Sequence, residues 1–117
     1  MAETVRVVNR SRQTLLLDQA VVADRFGSRL RGLLGRASLE PGRGLLLKPC
    51  RAVHTVGMRF AIDVGFVDRN NSLCCLIERM RPFRCSPTVR QAVYVIEAAA
   101  GTFGRTGTVT GDLIALE

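Results

Sequence analysis

Apolar positions along the chain fall into short runs with a period near two, separated by turn-forming residues. Val5 to Val8 and Thr14 to Leu17 are β-prone, and Asn9 to Arg12 between them has the composition of a hairpin turn. Leu45 to Leu47 reads as a short buried strand after the turn Pro41-Gly42-Arg43-Gly44. Cys50 to Thr55 follows Pro49 as a strand or an irregular segment. The clearest alternation begins at Phe60. Phe60, Ile62, Val64 and Phe66 point one way, and Ala61, Asp63, Gly65 and Val67 the other. Asp68 to Ser72 forms a hairpin turn around Asn70-Asn71, because Asn tolerates positive φ, and Leu73 to Glu78 is the return strand. Arg79 to Pro87 reads as an irregular loop and Ala92 to Ala98 as the next strand. Gly101, Gly104, Gly107 and Gly111 read as turns, with Asp112 bracketing the one before a final strand, Leu113 to Leu116.

One stretch has a different period. At about 100° per residue, Phe26, Leu30, Leu33 and Leu34 fall on one side, and Asp24 is an N-cap, which predicts a helix over Arg25 to Arg36. Gly27, Gly32 and Gly35 each weaken it by about 1 kcal/mol relative to Ala, so tertiary packing must hold it. Arg25, Arg29 and Arg36 form a neighbouring stripe, a candidate anion patch. Many short strands, Gly-rich turns and one helix predict a mainly β (α+β) fold, a small barrel-like rolled sheet of antiparallel or mixed strands. The 117 residues suffice for a single domain, 1–117. With five Phe, one Tyr and no Trp, its core must be built from Leu, Val, Ile and Ala.

Composition narrows the function classes. No apolar run approaches the roughly 20 residues that cross a bilayer as a helix, and Met1 to Arg10 has no apolar leader core, so a soluble cytoplasmic protein is expected. Cys50, Cys74, Cys75 and Cys85 match neither a secreted disulfide framework nor a CxxC zinc site, and are read as four free thiols. The net charge is +7, almost all from arginine, since Lys48 is the one lysine. That excess could attract an acidic partner such as nucleic acid or anionic lipid.

The order of several residues resembles a bacterial and archaeal family. They are Gly32-Leu33-Leu34-Gly35-Arg36, Gly44 to Leu47, and Cys50-x-x-x-His54-Thr55-x-x-Met58-Arg59-Phe60-x-Ile62-Asp63-Val64-x-Phe66. Val95-Ile96-Glu97-x-x-x-Gly101 and Gly111-Asp112 follow. These are similar to domain-of-unknown-function family 192 from about Val22 onward. Many relatives carry Trp before the Met and Pro or Leu before the Ile-Asp pair. Gly57 and Ala61 stand there, which resembles a His-Thr branch. The resemblance implies a small β-barrel-like domain with a helix and no established reaction; relatives are often exported, whereas this sequence shows no leader.

The residues that could carry chemistry are few. His54, the sole histidine, has Cys50 four residues before it and Met58 four after, a soft-ligand set for copper or zinc. On a straight strand such positions lie about 13 Å apart, so sharing one ion requires a bend or another Cys. The same spacing stands against Cys50 and His54 as a nucleophile–base pair. Asp63 lies mid-strand between the small residues Ala61 and Gly65. It reads as a structural carboxylate accepting backbone or arginine hydrogen bonds, Arg59 among the donors, or as a ligand group with room beside it. Glu97 stands at an apolar margin beside Val93 and Val95, where its pKa could rise. No nucleophile elbow or phosphate loop is present. The leading reading is a non-enzymatic domain binding a small ligand or partner peptide near His54, Thr55, Met58, Asp63 and Glu97. The alternatives are an acid–base hydrolase using Asp63, Glu97 and His54, a copper or zinc protein using Cys50, His54 and Met58, and electrostatic association through Arg25, Arg29 and Arg36.

Overall fold

The computed structural model describes residues 3–23 and 37–117; the helix expected over 25–36, with its arginine stripe, lies outside the described residues. Among the described residues seven strands and one short helix are formed: β1 (Thr4–Asn9), β2 (Thr14–Ala23), β3 (Arg43–Leu47), β4 (Ile62–Asp68), β5 (Leu73–Met80), β6 (Ala92–Ala99), α1 (Thr102–Thr106) and β7 (Ile114–Leu116). They make one sheet in the order β5-β4-β6-β3-β2-β1-β7. The β2–β3 pair is parallel and the other described pairs are antiparallel.

The sheet curls until its two ends meet. Leu73 N donates to Asp112 O at 2.9 Å, Gly111 N to Leu73 O at 2.8 Å, and Ile114 N to Asn71 O at 2.8 Å. These bonds tie the start of β5 to the start of β7, and Ser72 bridges Leu113. Each edge strand thereby covers part of the other's unpaired backbone. The mainly β, barrel-like expectation is met.

Curling divides the apolar residues into two cores. The inner one holds Val7, Leu16, Leu17, Ala20, Leu46, Val67, Leu73, Tyr94, Ile96, Ala98, Phe103 and Ile114. The outer one holds Leu45, Leu47, Met58, Ile62, Val64, Phe66, Met80 and Val95, with Val53, Phe60, Cys74, Cys75, Ile77 and Val89 packed against it. In β4 both faces are therefore buried, and the alternation read from Phe60 separates two cores rather than core from solvent. The strand itself begins at Ile62, and Phe60 packs on the outer core from the preceding loop.

Other differences from the sequence reading have a physical cause. β2 runs on to Ala23 because its second half pairs in parallel with β3. β5 extends through Met80, opposite Ile62, into residues expected to be loop. Gly104 is not in a turn but inside α1, entered from Gly101 at φ 94° and left at Gly107 at φ 66°. Thr-Phe-Gly-Arg-Thr is a poor helix former. The turn is held by a tertiary contact, described below, which no local propensity reports.

Two glycines have steric roles. A Cβ on Gly65 would stand 3.0 Å from Leu73 Cδ1 and from Phe103 Cζ, so its absence lets Phe103 seat against β4. A Cβ on Gly44 would overlap the Glu97 carbonyl oxygen and reach Leu17 Cδ1 at 2.9 Å. The β3–β6 approach depends on a bare backbone there.

Candidate functional site

Two acidic residues lie in the middle of this sheet, and the register sends them to opposite faces. Asp63 pairs with Ala98, and Val64 with Glu97. Directly paired residues share a face, so Asp63 faces the inner core with Ala98 while Glu97 faces the outer one with Val64 and Leu45. The converging carboxylate pair expected of an acid–base enzyme is therefore absent among the described residues.

Asp63 is fully buried. Its Oδ1 accepts from Arg79 N at 2.9 Å, and its Oδ2 from Gly101 N at 3.2 Å and Phe103 N at 3.0 Å. Three backbone donors compensate the burial of the charge. They also tie β5 and the first turn of α1 to β4, which is why α1 forms. Arg59 is exposed and is not among the donors. The space that small neighbours could have left for a ligand is filled by Phe103 and Leu73.

Glu97 has the opposite surroundings. It is 4% exposed and packed between β3 and β4 on the outer face. Among the described residues no hydrogen bond or ion pair reaches its carboxyl, and burial pushes its pKa up to about 7. An acidic group poised near neutrality on an apolar face is the most chemically distinctive feature of the described residues.

The segment that carries His54 is an irregular loop with one bridge, to Cys85. Thr55 is fully buried and staples it. Its Oγ1 donates to Arg81 O at 2.5 Å and accepts from Arg84 N at 2.9 Å, while its backbone N donates to Arg84 O at 2.8 Å. Met58 turns into the outer core at 5% exposure. His54 stands in solvent, with Nδ1 accepting from Val56 N at 3.2 Å. Cys50 is half-buried, its Sγ donating to Ala52 O at 3.2 Å. The three soft-ligand candidates thus have three different environments, and among the described residues no three His, Cys, Asp or Glu side chains converge. No disulfide forms. Cys74, half-buried, donates from Sγ to Phe66 O at 3.3 Å, and burial together with the nearby Asp68 raises its thiol pKa.

Two features were not read from the sequence. Cys85 is the cross-strand neighbour of His54, although 31 positions separate them. The Tyr94 hydroxyl is buried with no partner among the described residues, and its pKa is raised, first by burial and then by Asp68. At the opposite end of the sheet, Asp112 Oδ2 accepts from Asn9 Nδ2 at 2.9 Å, Val109 N at 3.0 Å and Arg12 Nε at 3.1 Å. Desolvation alone would raise its pKa, but these donors and the Arg12 charge bring it below the usual value. This network fastens the turn before β7, as the Asp112 reading required. A surface groove on the β1–β2 hairpin is lined by Arg6, Val8, Arg10, Thr14 and Glu117 and contains none of the expected site residues.

Comparison with known proteins agrees with the fold. No curated protein matches the chain. A structure from Sinorhizobium meliloti 1021, described as a candidate transcription regulator, superposes with a TM-score of 0.80 at 22% identity, covering 99% of this chain and 94% of that one. A protein of unknown function from Novosphingobium aromaticivorans DSM 12444 superposes with a TM-score of 0.83 at 18% identity, covering 97% and 84%. The model of domain-of-unknown-function family 192, described as Uncharacterized ACR, matches residues 7–116, nearly the whole sequence. The chain belongs to that family.

Proposed function

We propose that the protein is a binding domain whose recognition group is the Glu97 carboxyl, presented on the apolar outer face of the sheet to a small ligand that joins an aliphatic body to an ammonium group. The observation that supports this is the carboxyl of Glu97, a residue 4% exposed among Leu45, Val64 and Val95, which has no partner among the described residues. A structural carboxylate is normally hydrogen-bonded, as Asp63 is, and leaving one unsatisfied costs about 1–3 kcal/mol or more. An ammonium brought to Glu97 would restore the lost hydrogen bond and favour the ionised form, while the surrounding aliphatic side chains would take the apolar body. Met58 and Thr55 serve by holding the loop that covers this core.

An NMR titration with n-hexylamine, followed at the backbone amides of residues 45, 64 and 95–98, tests the reading. Saturable shifts centred on Glu97, lost in Glu97→Gln and not reproduced by n-hexanol, are expected. Shifts that persist in Glu97→Gln, or none at millimolar amine, would remove the carboxyl from recognition.

A further inference from the structure

We infer that the paired loops 48–61 and 81–91 form a docking surface for an anionic phospholipid bilayer. These two segments contain Lys48, Arg51, Arg59, Arg81, Arg84 and Arg90, all exposed, and no acidic residue. Among the described residues Arg6, Arg12 and Arg43 have carboxylate partners, whereas Arg10, Arg69, Arg79 and Arg105 and all six loop cations have none; what sets the loops apart is that six cations lie there with no carboxylate in either segment. A surface that leaves its cations unpaired and excludes carboxylates is complementary to a polyanion.

Hydrogen bonds join the two loops. Phe83 N donates to Thr55 O at 3.0 Å, Val53 N to Ser86 Oγ at 2.9 Å, Ser86 N to Val53 O at 2.9 Å, and Val89 N to Arg51 O at 2.8 Å, besides the bonds of Thr55 to Arg81 and Arg84. At their junction two apolar side chains face solvent, Phe83 at 66% exposure and Val56 at 47%. Phe83 has φ 61°, a conformation uncommon for a bulky residue. Apolar tips flanked by arginine are the arrangement in which side chains enter the acyl boundary while guanidinium groups stay with lipid phosphates. Single-stranded nucleic acid would also use the arginines and could stack a base on Phe83. Val56 has no π face to offer it, whereas both tips fit a bilayer.

Co-sedimentation of the intact protein with vesicles of about 30 mol% phosphatidylglycerol in phosphatidylcholine, against pure phosphatidylcholine, is the test. The protein should pellet only with the anionic vesicles, and less as salt is raised. Phe83→Asn, chosen because Asn tolerates positive φ, and the double change Arg81→Glu/Arg84→Glu should each lower partitioning at least about fivefold with unchanged thermal unfolding. Glu97→Gln should partition as the parent does, which separates this surface from the outer-face site. Equal binding to neutral vesicles, no binding to anionic ones, or undiminished binding by both variants would overturn the inference. Retention of a labelled single-stranded oligonucleotide with vesicles ignored would overturn it in favour of nucleic acid.

Discussion

The buried carboxyl of Glu97 makes stability depend on pH in a direction opposite to that of a paired acid. Its pKa rises from 4.5 in the unfolded chain to about 7 in the folded one. Below pH 4.5 the group is protonated in both states and makes no pH-dependent contribution. Between 4.5 and 7 the unfolded chain ionises while the folded one stays protonated, so stability falls as pH rises; above 7 the loss is complete. A shift of that size corresponds to about 3 kcal/mol, a substantial part of the roughly 5–15 kcal/mol that holds a domain of this length. Glu97→Gln keeps the shape and cannot ionise. Its own unpaired amide adds an offset that does not vary with pH, so the informative quantity is the slope of the difference between the two proteins. Urea unfolding under reducing conditions at pH 4.5, 5.5, 6.5 and 8 should show Gln gaining about 3 kcal/mol on Glu across the series, with equal m-values. Groups common to both proteins cancel in the difference, including Asp112, whose stabilisation is lost only as pH falls through its depressed pKa. A difference flat to within about 0.5 kcal/mol would refute the claim that the carboxyl is desolvated and unpartnered.

Other substitutions probe the remaining parts of the account. Asp63→Asn removes the charge and turns an amide donor toward backbone N–H groups; it should cost about 3 kcal/mol and lower the melting temperature by roughly 10 °C in thermal unfolding followed by circular dichroism. Tyr94→Phe deletes a buried hydroxyl that has no partner among the described residues and should stabilise by about 1 kcal/mol in chemical denaturation. Gly44→Ala places a methyl on the Glu97 carbonyl and should cost about 3 kcal/mol or more; hydrogen exchange should show the loss of protection concentrated in β3 and β6.

How far the molecule was legible from its sequence follows from where each determinant is encoded. Strands were visible because their alternation and bounding turns are local, and Asp63 was visible because a carboxylate inside an apolar run demands partners. The identity of those partners was not, since Gly101 and Phe103 lie about forty positions away and are reached only when β4 and β6 pair. The same pairing decides the chemistry of the two acids. A one-residue slip between β4 and β6 would put Asp63 and Glu97 on one face and leave a carboxylate dyad. The actual register opposes Val64 to Glu97, giving one hydrogen-bonded structural carboxyl and one acid without a partner among the described residues instead. That register is fixed by what each face must bury. Val67, Ile96 and Ala98 belong to the inner core, and Val64, Phe66 and Val95 to the outer one, so a slip would exchange side chains between two filled cores. The cationic loop surface was hidden for a related reason. Its charges occur three at a time in two separated segments, and their sum appears only once Thr55 has joined the loops.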